Sequence, residues 1–232
     1  MSHSPSNLPS AERPTLWYRF GWYFFRAIFR VYFRWRVYYP ERVPLEGPLI
    51  VAANHASFLD PPLVGSAAPR PLYYMARETL FRNPILRTII RGWNAVPVAR
   101  DTTSSRGLKA AVDLLEAGHA LLVFPEGTRS PDGHLQPAQA GVGLLVARVA
   151  CPVVPVRIIN SHRALPRGAF WPRPVRIEVL FGEPMDMHLW RERMAHVPSF
   201  ARKDLYRQTA QAIMDAIAAL QPPQKEKKQS SR

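Results

Sequence analysis

With 232 residues, 47% of them apolar, the chain is long enough for one domain with a real core, and its 31 Lys plus Arg against 17 Asp plus Glu leave a formal net charge of +14. That surplus calls for an anionic partner, and nucleic acid, anionic lipid headgroups and phosphorylated or acidic substrates all qualify. The single cysteine, Cys151, excludes an internal disulfide and fits a cytoplasmic address.

Residues 1 to 14 are polar, hold Pro5, Pro9 and Pro14, and read as a disordered lead without a signal-peptide pattern. From Thr15 to Tyr39 the composition turns to Trp, Tyr, Phe and Arg. At about 100° per residue, Arg19, Arg26, Arg30 and Arg34 gather on one side of a helix and Trp17, Phe24, Ile28, Val31 and Trp35 on the other. The longest arginine-free run, Phe20 to Phe25, is far short of the roughly 20 apolar residues a spanning helix needs. Residues 15 to 39 are therefore expected to lie in the plane of an anionic membrane surface. The alternative is a helix whose aromatic face packs on the domain. As a docking appendage, residues 1 to 39 are expected to be removable without unfolding the rest.

Residues 41 to 160 alternate apolar runs with helical patterns, which predicts a single α/β domain over residues 40 to 220 with a mixed, largely parallel central sheet flanked by helices. Expected strands are Leu49 to Ala53, Leu72 to Met75, Ala95 to Val98, Ala120 to Phe124 and Val153 to Ile158. Helices are expected near Pro61 to Ser66, Glu78 to Arg91, Ser104 to Glu116 and Gly141 to Val149. Beyond Asn160, Pro174 to Phe181 alternates as a strand and Phe200 to Leu220 is an amphipathic helix. Residues 221 to 232 read as a disordered charged tail.

Two stretches carry chemistry. Asn54-His55-Ala56-Ser57-Phe58-Leu59-Asp60 puts a histidine and a carboxylate five residues apart after a strand. On a straight helix that spacing turns the side chains roughly 140° apart, so the chain must bend for them to meet. Asp60-Pro61 reads as a helix N-cap followed by its first residue. A neutral imidazole takes a proton from a hydroxyl near neutral pH, and Asp60 would fix its tautomer. The second stretch is Phe124-Pro125-Glu126-Gly127-Thr128-Arg129-Ser130. Arg129 offers a planar fork suited to phosphate, and Gly127 lets the backbone approach a ligand closely. Glu126 reads either as orienting Arg129 or the substrate, or as a surface turn carboxylate. No serine sits in a nucleophile elbow, so direct transfer without a covalent enzyme intermediate is expected. The seven histidines show no ligand spacing and no metal is assigned.

The ordered pair HxxxxD and FPEGTRS resembles the glycerolipid acyltransferases, of which the 1-acylglycerol-3-phosphate acyltransferases are the commonest type. Further matches lie in register at Ala76-Arg77-Glu78, at Gly92 through Arg100, and at Val154-Pro155-Val156, so the resemblance covers roughly residues 45 to 182. It implies His55 and Asp60 as catalytic residues and Arg77, Arg100, Glu126, Gly127, Thr128 and Arg129 at the substrates, Arg129 holding the acceptor's phosphate. It further implies an enzyme on the cytoplasmic face of a membrane, peripheral or monotopic. Such an enzyme moves an acyl group from coenzyme A or acyl carrier protein to a lysophospholipid and needs no cofactor. Arg77 stands where the family usually has lysine. Pro137-Ala138-Gln139-Ala140 is uncharged where the family usually carries aromatic and basic residues, which leaves other acceptors open: an amino-acid lipid, another lysophospholipid or glycerol phosphate. From a different class, charge and aromatics suggest a nucleic-acid-binding protein. Against it, the aromatics cluster in one helix and no nucleic-acid-binding motif is present, so no nucleic-acid partner is expected. Oligomeric state has no signature here.

Overall fold

In the computed structural model, which describes residues 16–98 and 105–223, the apolar run Leu49–Ala53 forms strand β2, buried along its whole length. It lies inside a seven-stranded sheet with β1 (Arg36–Tyr38), β3 (Leu72–Arg77), β4 (Ala95–Val98), β5 (Ala120–Val123), β6 (Val153–Ile159) and β7 (Glu178–Phe181), in the order β1-β7-β6-β2-β5-β3-β4. Every neighbouring pair is parallel except β6 with β7. Parallel neighbours need crossovers, and buried ones need cover on both faces. The helices supply it: α1 (Leu16–Tyr32), α2 (Asp60–Ala67), α3 (Pro84–Gly92), α4 (Ser105–Glu116), α5 (Gly141–Arg148), α6 (Ser161–Ala164), α7 (His188–His196) and α8 (Ser199–Ala219).

The pleat of β2 divides the core. Leu49, Val51 and Ala53 pack with Phe29, Phe33, Leu63 and Val64 from the side of α1 and α2. Ile50 and Ala52 pack with Leu114, Leu145, Val146 and Ile213 from α4, α5 and α8. Each fully buried large side chain contributes roughly 1.5–3 kcal/mol. Close approach of α5 to α8 depends on Gly143, where a Cβ would run into the main-chain carbonyl of Tyr206.

The expected strands and helices of the sheet region are present, with three corrections. The predicted helix Glu78 to Arg91 divides into a 3-10 turn, Glu78–Phe81, and α3, because Pro84 disfavours helical backbone at Asn83, whose side-chain oxygen accepts the Ile85 N–H at 3.0 Å. The predicted strand Pro174 to Phe181 is confined to β7, which runs antiparallel to β6. The segment expected to be helical to Tyr39 leaves the helix at Tyr32. Arg34 adopts a left-handed backbone (φ 46°), and Arg36 to Tyr38 then pair with Glu178 to Leu180 as an edge strand.

That last difference changes the standing of the N-terminal segment. Phe29 and Phe33 are buried in the core, Trp35 packs against it, and β1 completes the sheet. Removing residues 1 to 39 would strip the core and the sheet edge, contrary to the expectation that the body folds without them. The proposed lead at 1–14, Arg100 and most of the tail lie outside the described residues.

Candidate active site

Parallel pairing of β2 with β5, Ala52 opposite Val123, brings the two chemistry-bearing stretches out at the same edge. Carboxyl edges of such sheets are where α/β folds hold ligands. Just past β2, the Asn54 side chain donates to the Ile158 carbonyl at 3.0 Å and accepts the Ile158 N–H at 2.7 Å, continuing the pairing towards β6 by one residue. The chain then bends. Asp60 Oδ2 accepts the backbone N–H groups of Ala56 (2.6 Å) and Ser57 (2.7 Å), and lies 2.9 Å from His55 Nδ1. Asp60 is thus the first residue of α2, capping the turn before it and not the helix after it; the helix N-cap is Leu59. An ionised carboxylate only accepts hydrogen bonds, so the His55 proton sits on Nδ1 and Nε2 keeps its lone pair.

Asp60 is fully buried, and the His55 ring stacks on Phe124, the first residue of the second stretch, with centroids 4.0 Å apart. Two further hydrogen bonds join the stretches: the His55 N–H donates to Glu126 Oε1 at 2.8 Å, and the Ser130 N–H donates to the His55 carbonyl at 2.7 Å. Glu126 is not at the surface. It is 2% exposed, and its other oxygen accepts the Gln136 N–H at 3.3 Å. It braces the histidine backbone, a role that spacing did not suggest.

Burial, the largest cause, pushes the Glu126 pKa up to about 7, against the pull of the His55 and Gln136 N–H groups. The folded state then binds this proton more tightly than the unfolded state does. The associated stability is complete below the ordinary value of 4.5 and is lost as pH rises through about 7. Glu126→Gln, neutral throughout, is expected to flatten the fall in Tm across that window. Melting curves at half-unit pH steps check it, and parallel curves for the two proteins would clear Glu126 of the effect.

Gly127 takes φ +69°, which glycine adopts without strain, and Thr128 is exposed beside it. The Arg129 guanidinium lies 3.6 Å from the ring centroid of Phe58, so a residue of the first stretch carries the cation of the second. Arg77 ends β3 at the same sheet edge. Neither nearby serine is set as a nucleophile: Ser57 Oγ donates to the Leu165 carbonyl and Ser130 Oγ to Asp132. Burial pushes the Cys151 thiol up to about 11, which leaves it inert. Phe58 and Phe124 were visible in the motifs, but nothing in the spacing said that their rings would meet Arg129 and His55.

Fold and site together are those of an α/β protein that sets a His–Asp pair at the carboxyl edge of a largely parallel sheet. The family described as Acyltransferase matches residues 34–159, more than half of the chain, and the chain belongs to that family; it is an acyltransferase. It is 26% identical to the 1-acyl-sn-glycerol-3-phosphate acyltransferase of Bacillus subtilis (strain 168), over 72% of this chain and 79% of that one. It is 31% identical to the enzyme of that name from Limnanthes alba, over 61% of this chain and 51% of the relative, and 30% identical to the chloroplastic BAT2 of Brassica napus, over 53% and 36%. The chain therefore spans about half or less of these plant relatives. The crystal structure of the 1-acyl-sn-glycerophosphate acyltransferase PlsC from Thermotoga maritima superimposes with a TM-score of 0.65 at 25% identity, covering 89% of this chain and 80% of that one.

Proposed function

We propose that the protein transfers a fatty acyl group from a coenzyme A or acyl carrier protein thioester to the free hydroxyl of 1-acyl-sn-glycerol 3-phosphate, giving phosphatidate. The observation that carries this reading is the 2.9 Å contact of His55 Nδ1 with the buried Asp60, in a chain whose relatives bear that activity in their names. The acceptor hydroxyl passes its proton to His55 Nε2 as its oxygen attacks the thioester carbonyl. The C–S bond of the tetrahedral intermediate then breaks, and the leaving thiolate takes the proton back from the imidazolium, which Asp60 has stabilised. Arg129, and by family order Arg77 and Arg100, serve substrate phosphate; Gly127 and Thr128 shape the turn beside it. Chromatography of lipid products from labelled acyl-coenzyme A and a panel of lyso-acceptors tests the reading, and acylation of another acceptor in preference to the lysophosphatidate would overturn it.

Arg129→Ala is expected to raise KM for the acceptor steeply, with partial recovery in Arg129→Lys, since a point charge replaces a planar fork. Initial rates with the acceptor varied decide it. Unchanged KM and kcat would take Arg129 out of the site.

The membrane part of the proposal draws on the faces of α1. Tyr18, Gly21 and Phe29 turn inward, while Leu16, Trp17, Phe20, Phe24, Ile28 and Val31 form a separate, exposed apolar face. Both expected roles of this helix therefore have a stripe of their own. Trp35 belongs to the inner set, and Arg26 is drawn inward to the Ser66 carbonyl at 2.8 Å. Arg30 and Arg34, with Arg36 and Arg176, line an open cavity of about 460 Å³ beside the end of α1. No helix among the described residues is long and apolar enough to cross a membrane. An enzyme docked by this face on an anionic surface avoids exposing lipid chains to water, at about 0.8 kcal/mol per methylene. Wild-type protein is expected to float with anionic vesicles more than with neutral ones and to lose part of that binding in high salt. Phe20→Ser combined with Phe24→Ser and Val31→Ser is expected to abolish flotation with an unchanged circular dichroism spectrum. Equal flotation of the two proteins would reject docking through this face.

A further inference from the structure

A cavity of about 310 Å³ opens beside the His55 turn, walled by Ala56 from the first motif, Pro131 immediately after the second, and His162, Arg163, Arg167 and Arg173 from the segment that follows β6. None of its lining residues is acidic. Among the described residues the three guanidiniums have no hydrogen-bond or ion-pair partner. Asp132, whose charge reaches His162 in the cavity wall, does not itself line the cavity, and its Oδ1 accepts from Ser130 Oγ and the His134 N–H. Three like charges around one concavity repel one another unless an anion shares it.

Between Arg167 and Arg173 the loop holds out Phe170 (93% exposed) and Trp171 (84% exposed). The loop is anchored, since the Tyr32 hydroxyl donates to the Pro172 carbonyl at 2.8 Å and the Arg173 N–H to the Ala164 carbonyl at 2.7 Å. Two exposed rings flanked by arginines suit a ligand that has both an aromatic face and phosphate.

Resting on the acyl-transfer reading above, which brings two phosphate-bearing substrates to His55 while Arg129 serves one, we propose that this pocket seats the nucleotide end of a coenzyme A thioester. Arg163, Arg167 and Arg173 take its phosphates, and Phe170 and Trp171 offer a stacking face to its adenine. Ala56 makes the cavity continuous with the His55 turn, so that a nucleotide seated among the arginines has its pantetheine arm free to carry the thioester to His55. The same phosphate chemistry exists in the acceptor and in the phosphopantetheine of a carrier protein, so the test separates all three.

The variant Arg163→Gln/Arg167→Gln/Arg173→Gln, its three single variants and Trp171→Ala are assayed with palmitoyl-coenzyme A, palmitoyl-carrier protein and palmitoyl-pantetheine, the last lacking phosphate and nucleotide. In the triple variant KM for palmitoyl-coenzyme A is expected to rise roughly tenfold or more, each charge-assisted contact being among the stronger hydrogen bonds. The preference for palmitoyl-coenzyme A over palmitoyl-pantetheine falls by the same factor, and KM for the lyso-acceptor holds. Trp171→Ala gives a smaller rise in the same constant. An unchanged KM for palmitoyl-coenzyme A, or a rise confined to the acceptor or the carrier protein, overturns the proposal. Calorimetric titration with free coenzyme A reads the pocket without turnover: binding by the wild type that the arginine variants lose supports it, and no binding overturns it. A wild type that binds coenzyme A but transfers no acyl group would sink the acyl-transfer reading alone. The single variants keep the test intact if the triple one misfolds.

Discussion

His55→Ala is expected to lower kcat/KM for acyl transfer at least about 100-fold, the low end of what a positioned general base supplies, or roughly 2.7 kcal/mol of transition-state stabilisation. The fold has no comparable stake in the imidazole. The hydrogen bonds of His55 to Glu126 and Ser130 use its backbone, so alanine keeps both. What alanine loses is the Nδ1 contact with Asp60 and the stack on Phe124. Initial rates with labelled donor, beside a thermal melt within a few degrees of wild type, make the measurement. Retention of more than about a tenth of the wild-type rate would end the assignment of His55 as the base.

Asp60 Oδ2 meets both the His55 ring and the N–H groups of the turn, and two substitutions separate the proposed catalytic contact from the structural ones. Asparagine keeps an oxygen for the Ala56 and Ser57 N–H groups but gives up the charge that stabilises an imidazolium. Asp60→Asn is therefore expected to fold and to lose on the order of 10²–10⁴ in kcat with little change in KM. Asp60→Ala removes the acceptor altogether and leaves two N–H groups unpaired in a buried turn, at about 1–3 kcal/mol each, so it should lower Tm by several degrees as well. Comparing kcat, KM and Tm for the pair discriminates. If Asp60→Asn turned over within threefold of wild type while Asp60→Ala melted early, Asp60 would be a brace of the turn and nothing more.

Where a residue's role depended on near neighbours in the chain, the sequence was legible. The strand of five apolar residues before His55, the bend that lets a spacing of five meet, and the order of strands and helices from Leu49 to Ile159 follow from local pattern and from the stiffness of Pro61 and Pro62. The two motifs in their order implied the family, and the Acyltransferase match confirms it.

Long-range packing decided the rest. Whether Glu126 is a surface acid or a buried brace depends on where Gln136 and His55 close over it, and a carboxylate in a turn looks the same on paper in both cases. Residues 33 to 39 look like more helix until Arg36 to Tyr38 meet a partner strand some 140 residues away. Arg163, Arg167 and Arg173 read singly as solvated surface charges; only the fold of the segment after β6 sets them around one cavity with Ala56 and Pro131. Helix α1 makes the point physically. Its sequence sets arginines on one side and supplies more aromatics than one core-facing stripe carries, but which of them enter the core is set by the surface of β2 and α2 against which Phe29 and Phe33 close, and what that surface leaves uncovered becomes the outer face.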